Sequence, residues 1–117
     1  MHIYHLSTCS TCQRILKQIP GLERFELQDI KSTPITGAQL DAMKALAGSY
    51  EALFSRRSMK FRPMGLHEKQ LTEQDYRTLI LMEYTFLKRP VIIIGNEIFV
   101  GNAKAVVAAA IDAASRA

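Results

Sequence analysis

The chain has 117 residues, 48% of them hydrophobic and 22% charged, with a net charge of +4. That composition suits one globular domain and excludes a disordered, collagen-like or coiled-coil chain. The longest apolar run, Ala105 to Ile111, is far too short to cross a bilayer.

Taken in chain order, residues 2–7 mix apolar and polar side chains around Ile3, Tyr4 and Leu6 and predict a short strand. Ser7-Thr8-Cys9-Ser10 is a turn rich in helix-capping types, and a helical pattern runs from Ser10 through Cys12, Ile15, Leu16 and Ile19 to Pro20-Gly21. Residues 24–28 alternate, with Phe25 and Leu27 on one face, and predict a second strand. Ile35-Thr36-Gly37 leads into a helix with Leu40, Met43, Ala45, Leu46 and Ala47 near its inner face, and Gly48 is its stop. Tyr50 to Phe54 adds a short helical segment. Thr72, with Asp75 three positions on, starts a helix carrying Tyr76, Leu79, Ile80 and Tyr84.

The signal then changes to strands. Val91 to Ile94 is β-branched throughout, Gly95-Asn96 is a two-residue hairpin turn, and Glu97 to Val100 returns. Gly101-Asn102 supplies the next turn and a helix cap, and the alanine-rich stretch from Ala103 to Ala114 is a strong helix former. A strand–helix–strand opening implies a parallel crossover, and the closing hairpin is antiparallel. The order predicts an α/β, thioredoxin-like (glutaredoxin-like) mixed four-stranded sheet with flanking helices. Residues 1–117 are expected to form one domain with a helical insertion over about 36–86.

Charge is uneven along the chain. Between Arg56 and Lys69 five basic residues stand against one acid, Glu68, and elsewhere the charges balance. Such a stretch suits an oxyanion, an acidic thiol such as glutathione, a charged protein partner, or simply a solvated loop. Nucleic acid fits poorly, because no aromatic platform accompanies the charge. The first six residues lack the charged region of a signal peptide, so a soluble cytoplasmic protein without a membrane segment is expected. Two cysteines are too few to hold a metal alone, and a reducing cytosol disfavours a structural disulfide.

The sharpest chemical feature is Cys9-Ser10-Thr11-Cys12 between a strand and a helix. Cysteines three apart in a first helical turn share one side and can bond to each other. A thiol at a helix N-terminus feels the positive end of the helix dipole and free backbone N–H groups, which favour thiolate. Cys9, nearer the end, is the expected nucleophile, and Cys12, one turn inside, the resolving thiol. The second feature is Arg89-Pro90 directly before a strand. In a thioredoxin-like fold a cis-proline there faces the cysteine turn, which would bring the planar Arg89 fork beside the thiolate and any bound oxyanion.

Tyr4-His5 followed by Cys9-Ser10-Thr11-Cys12-Gln13-Arg14, and Leu87-Lys88-Arg89-Pro90-Val91-Ile92-Ile93 followed by Phe99-Val100-Gly101-Asn102, resemble the ArsC/Spx family. Its members are glutaredoxin-related arsenate reductases and Spx-type redox regulators. The resemblance implies a catalytic Cys9, an oxyanion-binding Arg89, and a His5 that helps the cysteine ionise. It places a further arginine in Leu53-Phe54-Ser55-Arg56-Arg57-Ser58, best matched by Arg57, with Arg56 as the alternative. Two departures from the arsenate reductases stand out. Gly101-Asn102 occupies the region where many of them carry a third arginine, and Cys12 makes an internal disulfide feasible.

Two functions follow from the resemblance. One is a thiol reductase acting on arsenate or a disulfide, its Cys9–Cys12 disulfide reduced by thioredoxin or by glutathione with glutaredoxin, with no metal or organic cofactor. The other is an Spx-like regulator that binds RNA polymerase and uses the cysteine pair as a switch. The apolar ending Ala108 to Ala114 favours the enzyme, since such regulators end in a basic polar tail. A monomer is expected.

Overall fold

The computed structural model describes residues 1–117. In chain order its elements are β1 (His2–His5), α1 (Ser10–Leu16), β2 (Glu26–Asp29), α2 (Gly37–Ala47), α3 (Glu73–Met82), β3 (Val91–Ile94), β4 (Glu97–Val100) and α4 (Lys104–Arg116). Short 3-10 turns lie at Leu22–Arg24, Glu51–Leu53, Leu66–Glu68 and Tyr84–Phe86. The chain forms two compact units, one from Met1–Thr33 with Arg89–Ala117, the other from Pro34–Lys88.

The first unit is a mixed sheet in the order β2-β1-β3-β4. β1 and β2 are parallel, as the intervening helix requires, while β1–β3 and β3–β4 are antiparallel. The β3–β4 hairpin pairs Ile94 with Glu97, so Gly95-Asn96 alone makes the turn. Gly95 has φ +59 and Asn96 is not left-handed. That sign pattern is the type II′ turn, which demands glycine at its first central position. One sheet face carries Ile3, Ile92 and Ile94 against Leu16, Ile19 and Phe25 and against Ala110, Ala113 and Ala114 of α4. Alanines at these three positions let α4 lie close on the sheet while keeping high helix propensity.

This is the thioredoxin-like mixed sheet expected from the sequence, but several local expectations change. β1 ends at His5 and not at residue 7, because the chain turns at Leu6. α1 stops at Leu16; Gln18 and Ile19 donate instead to Ile15 and Leu16 at 2.9 and 3.2 Å, a tightened turn that precedes Pro20. β2 runs later than the sequence suggested. Leu27 is 45% exposed and Gln28 only 8%, since β2 is the sheet edge and Gln28 is held by Thr33 O and His2 at 3.0 Å each. Asn102 does not cap α4; the N-cap is Ala103, with no side-chain bond.

In the second unit both helices open on reciprocal capping boxes. Thr36 pairs with Gln39 and Thr72 with Asp75, each satisfying orphan N–H groups. Gly48 ends α2 in the left-handed region, φ +97. Only Leu40 and Met43 of α2 are buried; Ala45 and Leu46 are exposed, because the helix buries one narrow stripe. Asp41 joins α2 to α3 by accepting from Arg77 at 2.8 and 3.2 Å and from Tyr50 Oη at 2.6 Å. The Arg77 guanidinium, with the Tyr50 hydroxyl, holds the Asp41 carboxyl down to about 2. Tyr84 lies beyond α3, in the 3-10 turn that follows it.

Candidate active site

The turn after β1 delivers the first cysteine. Cys9 N–H donates to Leu6 O at 3.0 Å, and Cys9 O accepts from Gln13 N at 3.1 Å to start α1. Cys9 is therefore the N-cap, in extended conformation (φ −94, ψ 112). A side chain at that position meets the unpaired N–H groups of the first turn. Burial pushes the Cys9 thiol up, but hydrogen bonds from the Cys12 backbone and thiol, the Arg89 charge and the Thr11 N–H outweigh it and lower its pKa.

Cys12 has the opposite environment. It is fully buried, and burial pushes its thiol up to about 11, reinforced by the neighbouring Cys9 charge and only partly opposed by a Leu6 backbone bond and by Arg89. The pair is thus asymmetric, a partly exposed, more acidic Cys9 thiol beside a buried, less acidic Cys12 that donates to it. Both cysteines are free thiols. A limiting dose of iodoacetamide is expected to label Cys9 ahead of Cys12 at every pH from 7 to about 9. Preferential labelling of Cys12 on peptide mapping would reverse these roles.

Arg89 precedes Pro90 across a cis peptide bond. Pro90 is buried, and its carbonyl accepts from Gly101 N–H at 2.9 Å, which ties the start of β3 to the end of β4. The Arg89 charge reaches both sulfurs. Cys9, Cys12, Arg89 and Pro90 thus share one locality. Arg56 and Arg57 belong to the second unit. There Arg56 is engaged by Glu51 at 3.0 Å and Tyr76 Oη at 2.8 Å, while Arg57 is exposed and makes no ion pair. No three His, Cys, Asp or Glu side chains gather as a metal site. No helix is long and apolar enough to cross a membrane.

His5 ends β1 with 9% exposure, and its Nδ1 is buried without a hydrogen-bond partner. Its strand partner is Asp29, a residue sequence reasoning missed. Asp29 accepts from the Ser7 hydroxyl and from Lys31 N at 3.1 Å. Those bonds, with the positive charge His5 can carry, hold its carboxyl below the usual range. The readable signal was the Asp-x-Lys turn at 29–31, a side-chain-to-backbone bond two residues on. The Ser7–Asp29 link anchors the loop that presents Cys9. Asp29→Ala is expected to slow Cys9 alkylation at pH 7, while Asp29→Asn, which keeps an acceptor for Ser7, holds the wild-type rate.

The ArsC family pattern matches residues 4–110. Solved structures share the fold. The protein YffB is 23% identical with a TM-score of 0.76, covering 94% of this chain and 97% of its own. An arsenate reductase (ArsC) related protein from Brucella melitensis is 24% identical with a TM-score of 0.68, covering 92% and 91%. The arsenate reductase from Vibrio cholerae is 17% identical with a TM-score of 0.69, covering 84% and 87%. No curated protein matches the chain in sequence.

Proposed function

Because the chain belongs to the ArsC family, we propose that its thiol-redox chemistry is that of a two-cysteine reductase, with Cys9 as nucleophile and Cys12 as resolving thiol. The observation that carries this reading is the opposed environment of the two sulfurs, one pKa lowered and the other raised to about 11. In the first step the Cys9 thiolate attacks a disulfide sulfur; an S–S bond forms to Cys9 and the other half leaves as a thiolate. Cys12 then loses its proton and attacks Cys9 Sγ. The second half leaves as a thiol, and a Cys9–Cys12 disulfide remains. With arsenate, Cys9 displaces water from arsenic to form a thioester. Attack by Cys12 on the Cys9 sulfur passes two electrons to arsenic and releases arsenite. An external thiol reductant, the thioredoxin dithiol or two molecules of glutathione with glutaredoxin, returns both cysteines to thiols.

Arg89 supplies a fixed cation to the anionic electrophile and to the thiolate, and its planar fork can bind an oxyanion through two parallel N–H groups. Arg57 is the second candidate oxyanion ligand, since Arg56 is held by Glu51 and Tyr76. His5 is the candidate that aids ionisation of Cys9.

A reductant-coupled turnover assay on arsenate, run beside a glutathione mixed disulfide, tests the proposal. Arg89→Ala is expected to lower kcat/KM for the anionic substrate by about 10- to 100-fold, as losing hydrogen bonds between charged groups worth about 1.5–3 kcal/mol implies. Arg89→Lys restores part of the charge effect and little of the geometry. Absence of turnover on both substrates overturns the assignment, and wild-type kinetics in Arg89→Ala removes the oxyanion site from it and leaves only the cysteine pair.

A further inference from the structure

A groove of about 430 Å³ runs between α1 and α4. Its floor is apolar, made by buried Ile15 and half-buried Val107 and Ile111. Its polar groups, Arg14, Gln18, Asn102 and Lys104, are all exposed and so form a rim. No carboxylate lines it. Arg14 and Lys104 make no ion pair; the acid on α4, Asp112, is taken by Arg116 at 3.0 Å. Two unmatched cations on opposite helices therefore flank an apolar strip.

We infer that this groove docks an acidic polypeptide segment, an apolar side chain flanked by carboxylates, from a redox partner protein of this chain. Several features favour a polypeptide over a small molecule. Small-molecule sites fix orientation with a few polar groups placed inside the pocket, and here the interior holds none. An apolar centre within a polar rim is the anatomy of a protein interface. The Gln18 and Asn102 amides each offer donor and acceptor, which suits the N–H and C=O groups of a peptide backbone. Two unpaired cations with no acid beside them supply the charge complementarity that steers and orients such a partner. Placement adds a reason. α1 carries Cys9 at its N-cap, and Asn102 follows Gly101, which is bonded to Pro90. A segment held here keeps its protein beside the cysteine pair. The identity of the partner as a redox protein rests on the reductase reading above; the groove's preference for acidic polypeptide does not.

The test is a titration of the reduced, 15N-labelled full chain, read by amide chemical shifts. The probe is a doubly capped peptide, Asp-Glu-Leu-Ile-Glu-Asp; its counterpart with lysine at every acidic position and free glutarate are the comparisons. The acidic peptide is expected to give saturating shifts at Arg14, Ile15, Val107 and Ile111 that weaken as salt is raised. Charge reversal by Arg14→Glu with Lys104→Glu is expected to weaken binding by about tenfold or more. The milder pair Arg14→Gln with Lys104→Gln falls between and guards against misfolding. Binding of the lysine peptide with similar affinity overturns the proposal, as do shifts confined to the basic stretch 56–69. Glutarate saturating the same amides as tightly as the peptide also overturns it, by making the groove a small-anion site. The readout needs no turnover, so loss of the reductase reading would leave this result standing, and the reverse.

Discussion

Cys9→Ser is expected to abolish turnover, by at least about 10³-fold, because a serine hydroxyl neither ionises at neutral pH nor forms a bond that a thiol can exchange. The diagnostic companion is Cys12→Ser. It keeps the attacking thiolate and removes only the step that releases product. The Cys12→Ser protein should therefore accumulate a stoichiometric adduct on Cys9, visible by mass spectrometry as the mass of one half of the substrate disulfide. The asymmetry of the pair makes this ordering intelligible. Part of what raises Cys12 is the Cys9 negative charge. Forming the mixed disulfide removes that charge, so Cys12 becomes more acidic at the moment its attack is required. In wild-type protein the resolving step should accelerate with rising pH and level off below about 11, the position Cys12 holds only while the Cys9 charge is present, while formation of the adduct follows the ionisation of Cys9. Equal adduct yields in wild-type and Cys12→Ser protein would show that Cys12 does not resolve the intermediate.

Features that local chemistry dictates were legible in the sequence. Val91 to Ile94, Gly95-Asn96 and Glu97 to Val100 read as a hairpin because β-branched residues flank a turn that only a glycine satisfies, and the register agrees to the residue. Thr72 with Asp75 announced α3 because the capping box is a contact over three positions. Cys9 and Cys12 were legible for the same reason, a spacing within one helical turn. What escaped depended on distant partners. Leu27 reads as core by alternation, yet edge position leaves it exposed and the bonds to His2 and Thr33 bury Gln28. Arg24 donates to Ala117 O at 2.7 Å and Ala114 O at 3.1 Å, satisfying carbonyls at the end of α4 across some ninety residues of chain. Asp29 joins the site through Ser7 only once β2 lies beside β1. The groove between α1 and α4 is likewise a product of assembly, since Arg14 and Lys104 are ordinary surface cations until the fold leaves both without an acid.

The largest loss of stability is expected from Phe54→Ala. Phe54 is wholly buried and central to the second unit. Its ring stacks on Phe86 at 5.1 Å and meets Tyr76 at 4.9 Å and Phe61 at 6.1 Å. Around it, Phe54 bridges Leu87, Ser55 N donates to Phe86 O at 2.7 Å, and Lys88 N donates to Leu53 O at 2.8 Å. Side chain and backbone thus fix the same place. Truncation removes the transfer energy of the ring and leaves a cavity among aromatic walls too rigid to collapse, so the cost should be about 3–5 kcal/mol. Against a total stability of about 5–15 kcal/mol for a domain, this is enough to lower Tm by roughly 10–25 °C. Phe54→Leu keeps most of the volume and should cost less than half as much. Leu46→Ala, at an exposed position on α2, should change stability by no more than about 0.5 kcal/mol. Urea titrations of the three variants separate the cases. A Phe54→Ala protein that unfolds at the same urea concentration as Leu46→Ala would mean that the aromatic cluster does not anchor the second unit.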